Sequence, residues 1–246
     1  MKLHFLGTNG WYDTQQGNTL SVLLDTNKAY VVFDAGGGFY KLDKYITKNK
    51  PIILLLSHFH LDHIIGLHAL NKFNFSQGIN VFGPKGIKKV FNVIINNPYS
   101  KPVNKLKTKI IIREFSNTLK LPIDIEYKEL LHSCLCYGYR VSSEGKKVVF
   151  CTDTGLCPNL SLLADGADIL ITECSLAPGQ TDNNWPHLNP EQAASIAKAC
   201  KVKKLILTHF DAGVYLTSKD RLSAQNAART IFKNTVAAKD GLNIKI

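Results

Sequence analysis

The sequence feature that most constrains the fold is the stretch Ile52-Ile53-Leu54-Leu55-Leu56-Ser57-His58-Phe59-His60-Leu61-Asp62-His63. It is an apolar run that ends in three histidines and an aspartate within six residues. Such a run reads as a buried strand, and the residues after Asp62 read as the start of a helix. In extended chain the side-chain period is two, so His58 and His60 point the same way. Asp62 and His63, on the next turn, can point at a neighbouring position. Imidazole and carboxylate are ligands that zinc, iron and manganese accept. One pair can therefore hold one ion and the next pair a second. The competing reading is a surface loop that happens to be rich in histidine.

The rest of the chain sets that site in an ordinary globular protein. Its 246 residues suit a single domain over 1–246, with enough chain to bury a sizeable core. No apolar run approaches the ~18 residues of a membrane helix, and Gly7 comes too early for a signal-peptide core. A cytoplasmic protein with no membrane partner is expected. Cys134, Cys136, Cys151, Cys157, Cys174 and Cys200 have no CxxC spacing, and read as reduced, buried small hydrophobes; Cys134 and Cys136, a CxC beside His132, offer a metal role as the lesser alternative, at a site that already has enough ligands. The net charge of +11 is uneven, because residues 63–113 hold no acid and nine basic side chains, from Lys72 to Arg113. This segment suits a polyanion such as nucleic acid, or is a lysine-rich solvated surface.

Strands are expected over 2–6, 19–24, 30–33, 52–56, 79–82, 110–115, 123–132, 136–141, 147–151, 169–172 and 205–208. Helices are expected over 39–47, 61–73 and 86–95, and a further one opens at Asn189-Pro190-Glu191-Gln192, a capping-box spacing with proline at the first helical position. Residues 96–109 read as a loop. Antiparallel runs flanked by strand–helix alternation predict a mixed α/β fold of two packed sheets with helices outside. Asp34, His58, Asp153, Glu173 and His209 all fall at or just after strand ends, where mixed α/β folds gather their chemistry. His4 reads as a satisfied strand histidine. His68 is turned away from the site by helical rotation.

His58-x-His60-x-Asp62-His63, followed by His132, Asp153 and His209, resembles the metallo-β-lactamase superfamily. The resemblance implies a four-layer αβ/βα sandwich of two mixed sheets with a two-metal site on one edge. It implies that His58, His60 and His132 bind one divalent ion, that Asp62, His63 and His209 bind the other, and that Asp153 bridges them. Zinc is the first expectation, with manganese or iron as alternatives. Two such ions clamp a bridging water and lower its pKa towards ~7; Asp62 counts among the catalytic residues as well as the ligands. Asp34 would hold a ligand histidine in its tautomer, or else cap a turn.

Glu173-Cys174-Ser175 and Trp185-Pro186-His187-Leu188-Asn189-Pro190-Glu191-Gln192 resemble the RNase Z branch and its small phosphodiesterase relatives. So do Leu3-His4-Phe5-Leu6-Gly7-Thr8 and the segment from His132 to Arg140. In that branch a Glu and a His placed like Glu173 and His187 assist the leaving group; the plainer alternative is that His187 only packs at a helix start. Two departures stand out. The long tRNA-gripping arm of RNase Z is replaced by Ser142-Ser143-Glu144-Gly145-Lys146, and the usual serine and arginine after His209 are missing. The expectation is a two-metal phosphodiesterase using a metal-bridging hydroxide, acting on a small phosphodiester or on nucleic acid. An RNase Z-like nuclease acting on RNA or single-stranded DNA, a thioester or lactam hydrolase, and a non-catalytic metal-binding regulator are the alternatives. A homodimer is left open.

Overall fold

A computed structural model describes residues 1–116, 120–182 and 184–246. One sheet has seven strands, in spatial order Asn243–Lys245, Lys2–Gly7, Ser21–Asp25, Tyr30–Phe33, Ile52–Leu55, Ile79–Gly83 and Ile110–Glu114. A second has six: Thr235–Ala237, Lys204–Thr208, Ile169–Glu173, Lys146–Cys151, Cys136–Ser143 and Asp124–Leu130; Asn9–Gly10 and Phe210–Asp211 pair apart from both, as a two-stranded ribbon. Each sheet is antiparallel at one end and parallel at the other. The first is parallel from Tyr30–Phe33 to Ile110–Glu114, the second from Thr235–Ala237 to Lys146–Cys151.

Alternation along the strands explains the layering. Val22, Phe33, Ile53 and Leu55 of the first sheet pack with Tyr139, Val148, Phe150 and Ile171 of the second, forming the core between the sheets. The residues in between face outward: Leu23, Val32 and Leu54 meet Phe39, Leu67, Leu70 and Phe91. Likewise Val149, Leu170 and Leu205 meet Leu160, Ala193, Ala224 and Ala228, from the helices Pro158–Ala164, Pro190–Ala199 and Ser218–Ile231. Phe33 and Phe150 stack across the sheets with ring centroids 4.7 Å apart. The result is the expected αβ/βα sandwich. Among the described residues no helix is long and apolar enough to cross a membrane.

Two expected helices come out differently. Residues 61–73 form one α-turn, Leu61–Ile64, and then a 3-10 segment, Ile65–Lys72. The cause is a backbone dock. The His63 carbonyl accepts from the Ala35 N–H (2.8 Å), and the Gly66 N–H donates to the Ala35 carbonyl (2.8 Å), so the α-ladder is interrupted. A Cβ on Gly66 would lie 2.0 Å from the Gly36 carbonyl oxygen, so only glycine allows this approach. The helix expected over 39–47 is also 3-10, and spans Gly37–Lys44. The strand expected over 123–132 stops at Leu130, because the Leu131 carbonyl turns to accept from the Gly155 N–H (2.9 Å) and His132 sits in a loop. The Asn189/Gln192 capping box is formed. Glu144 and Gly145, both at positive φ, make a two-residue hairpin turn between Cys136–Ser143 and Lys146–Cys151.

Candidate active site

The strand ends deliver the side chains. Asp34, Asp153 and His209 come directly after Tyr30–Phe33, Lys146–Cys151 and Lys204–Thr208 or one residue beyond, and each has a left-handed backbone, with φ of 56°, 55° and 51°. Trp11 is a fourth, at φ 68°. These four are among six non-glycine residues of positive φ in the described chain, so local strain gathers at this edge.

Four ligand atoms form one tight group. His63 Nε2 and His209 Nε2 are 3.1 Å apart. Asp62 Oδ2 is 3.5 and 3.2 Å from them, and Asp153 Oδ1 is 3.3 and 3.2 Å away. Ligands at ~2.0–2.1 Å from a tetrahedral ion stand ~3.3–3.4 Å apart, close to these five separations, so the histidines and each carboxylate are spaced as ligands of a metal ion. The other Asp153 oxygen, Oδ2, lies 3.7 Å from both His58 Nε2 and His132 Nε2. His132 Nε2 is in turn 3.3 Å from His60 Nδ1. His58 Nε2 is buried without a hydrogen-bond partner, an unmet need that a cation would satisfy.

Neighbouring side chains orient the rings. Asp34 accepts from His63 Nδ1 (2.8 Å) and from both the N–H and the Oγ–H of Ser57 (2.7 and 2.8 Å). Ser57 Oγ, its proton committed to Asp34, stands 3.0 Å from His58 Nδ1. Ser175 Oγ donates to the His209 carbonyl and lies 3.0 Å from His209 Nδ1. In all three histidines Nδ1 is engaged and Nε2 faces the cluster. Burial is the largest influence on His132, pushing it down to about 4, and it lowers His60 and His58 as well; these rings carry free lone pairs at neutral pH. Burial works against charge on Asp153 too, but His209 and His63 outweigh it and hold the carboxyl well below the usual range. The donor set and its negative charge fit divalent cations.

Beside this cluster, His187 Nδ1 lies 2.8 and 2.9 Å from the two Glu173 oxygens. Glu173 also accepts from the Thr154 and Leu188 N–H groups and is buried. Burial opposes a charge on His187, yet the Glu173 carboxylate and its hydrogen bond prevail, raising the ring to about 9. It is an acid at neutral pH, with Nε2 left for the cavity it lines. That cavity, about 280 Å³, is bounded by Trp11, His60, Leu61, Asp62, Asp153, Trp185, His187 and His209.

Every site residue expected from the sequence is thus gathered at one edge. Two others stand beside them. Cys134, read as a buried small hydrophobe with a metal role as the lesser alternative, is exposed in the loop after Leu130, with Sγ 3.7 Å from His60 Nε2 and close to His58 and His132 as well. The strand ends too early to carry it inward. Trp11 carries no pattern that would mark it. His4 bonds to Asn243, and His68 is exposed, both as expected. None of the nine basic side chains of 63–113 lines the cavity.

Comparison with known proteins agrees with this geometry. The family model described as "Beta-lactamase superfamily domain" matches residues 29–210. Ribonuclease Z of Ligilactobacillus salivarius is 26% identical, with 98% of this chain and 95% of that protein covered. The alignment runs over 303 positions against a chain of 246, so at least 57 of them have no residue here. The probable metallo-hydrolase YhfI of Bacillus subtilis is 27% identical over 248 positions, covering 98% of both. Its crystal structure superposes with a TM-score of 0.82 at 24% identity, over 99% of this chain and 98% of that one. Human tRNase Z, short form, reaches 0.76 at 22% identity, over 100% and 99%. The chain belongs to the metallo-β-lactamase superfamily, in its RNase Z-like branch.

Proposed function

We propose that this chain is a divalent-metal-dependent phosphodiesterase in which the Glu173–His187 pair assists the leaving group. The observation that carries the reading is the grip of both Glu173 oxygens on His187 Nδ1. It keeps the ring protonated at neutral pH and turns Nε2 towards the cavity. An alkoxide leaving phosphorus needs such a proton. Thioesters and lactams do not generally call for this pair, and a regulator without catalysis would have no use for it.

His58, His60 and His132 would hold one ion and Asp62, His63 and His209 another, with Asp153 between them; zinc is the first expectation, manganese and iron the alternatives. When bound, the metal supplies Lewis-acid chemistry, lowering the pKa of water and polarising a phosphoryl oxygen. Asp34, Ser57 and Ser175 keep the imidazoles aimed, and Leu61 and the two tryptophans narrow the access of water.

The metal-loaded protein is expected to hydrolyse bis-p-nitrophenyl phosphate; absence of metal-dependent turnover would count decisively against the proposal. His187→Ala should slow diesters with poor leaving groups by about 10²–10⁴-fold, and those with good leaving groups far less. Equal losses would remove the acid role.

A nuclease acting on RNA or single-stranded DNA is the second reading, supported by the relatives named Ribonuclease Z. The two-residue turn at Glu144-Gly145 leaves no room for a tRNA-gripping arm in that connection. If the basic 63–113 surface holds phosphates, RNA affinity must fall steeply with salt. A flat response would dismiss it.

A further inference from the structure

The chain has two tryptophans, Trp11 and Trp185, and both line the same cavity. Their rings stack on one another, with centroids 6.1 Å apart and planes within 13°. Neither is there for the core. Trp11 is 57% exposed, and Trp185 is half-buried against His132 and His187, at centroid distances of 6.1 and 5.6 Å.

Trp11 is held in place at a cost. Its left-handed backbone is unfavourable for a bulky residue, and its N–H donates to Asp62 Oδ2 (2.9 Å), tying the loop to the cluster. Trp185 is braced by its N–H to Asp182 Oδ1 (3.1 Å). An exposed indole in a strained conformation, aimed over a charged site, is poorly explained by folding and well explained by binding. Leu61, 68% exposed, adds a third apolar group to the rim.

We infer that Trp11 and Trp185 form an aromatic platform that binds a planar ring on the leaving-group side of the substrate. This rests on the phosphodiesterase reading above. Trp185 abuts His187, so the ring it stacks lies on the Glu173–His187 side of the cavity, where the reading above places the leaving group. A ring inserted between two indoles needs ~7 Å, two contacts of ~3.5 Å, so the pair must part by about 1 Å. The cavity of about 280 Å³ suits one such ring with its phosphate, at the lower limit of small-molecule pockets. The substrate class is a small phosphodiester carrying a nucleobase or another aryl group.

Because both tryptophans lie here, intrinsic fluorescence excited at the indoles reports on this site alone. Metal-loaded full-length protein would be titrated with phenyl phosphate, AMP and methyl phosphate, following tryptophan emission, with isothermal calorimetry for ligands that give no optical signal. Phenyl phosphate is expected to bind at least ten-fold more tightly than methyl phosphate and to change the emission. Trp11→Ala and Trp185→Ala, each keeping one indole as reporter, should weaken phenyl phosphate about ten-fold, the ~1.4 kcal/mol of one stacked ring. Trp185→Phe should preserve binding and so exclude a merely structural loss. AMP binding as tightly as phenyl phosphate assigns the platform to a nucleobase; phenyl phosphate alone assigns it to a simpler aryl group. Equal affinity for methyl and phenyl phosphate, or alanine variants that bind phenyl phosphate as the parent does, would overturn the inference. Ring-dependent binding without diester turnover would instead sink the phosphodiesterase reading and leave the platform standing.

Discussion

Asp34 shows how one buried carboxylate can govern a site it need not touch. It accepts from His63 and twice from Ser57, and Ser57 in turn meets His58. Asp34→Asn keeps the shape but exchanges an acceptor for a donor. Divalent-ion affinity, measured by competition with a chromophoric chelator, should fall roughly 10–100-fold; unchanged affinity would reduce Asp34 to a turn cap. Residues of this kind were legible in the sequence, because packing alone seldom places imidazoles and carboxylates at one strand end after another. Trp11 was not. A lone aromatic in a loop has no periodicity or partner in sequence, and its meaning appears only when Trp185, far along the chain, is found against it. Cys134 was only partly legible: its place beside His132 allows a metal role, but its orientation depends on a strand ending at Leu130, and strand ends are set by tertiary hydrogen bonds.

At the level of elements, the glycine-rich turn after Phe33 and the turn carrying Asp62 and His63 are one unit. Gly66 allows them to touch, so Gly66→Ala should do more than a surface glycine exchange. A Cβ 2.0 Å from a backbone oxygen forces the two turns apart, at about 1–3 kcal/mol. A lower denaturant midpoint together with weaker ion binding is expected. A change in stability alone would show that the dock does not aim Asp62 and His63. This same contact is why the helix expected over 61–73 is an α-turn followed by 3-10 structure. Apolar spacing in the sequence signals a helical face, but carbonyls claimed by another segment decide which helix forms. The strands were easier to read, since alternation such as Val22-Leu23-Leu24 or Val148-Val149-Phe150 is rewarded on both faces of a sheet packed between helices and its partner sheet.

Across the whole molecule, two sheets and their helices bring residues as distant as Asp34 and His209 to one edge, and that architecture was legible from the motif's resemblance more than from local pattern. The C-terminal strands, three residues each, are too short to announce themselves, whereas the helices Pro158–Ala164 and Ser218–Ile231 do carry starts, a proline and the Thr217/Asp220 capping box, that were not among the expectations. Removing the ions should be felt everywhere. At a free-ion concentration of about a thousand times Kd, one bound ion stabilises the fold by about 4 kcal/mol. A strong chelator should therefore lower the melting temperature as well as abolish turnover; an unchanged melting temperature would mean that the site is rigid without its ions. The left-handed residues at 11, 34, 153 and 209 sharpen this expectation. Each holds back roughly 1–3 kcal/mol from a folding stability of about 5–15 kcal/mol, a loss that ion binding would offset. Supply of the metal would then set the lifetime of the protein as well as its activity: starved of it, the chain should open more often and be cleared sooner by proteases.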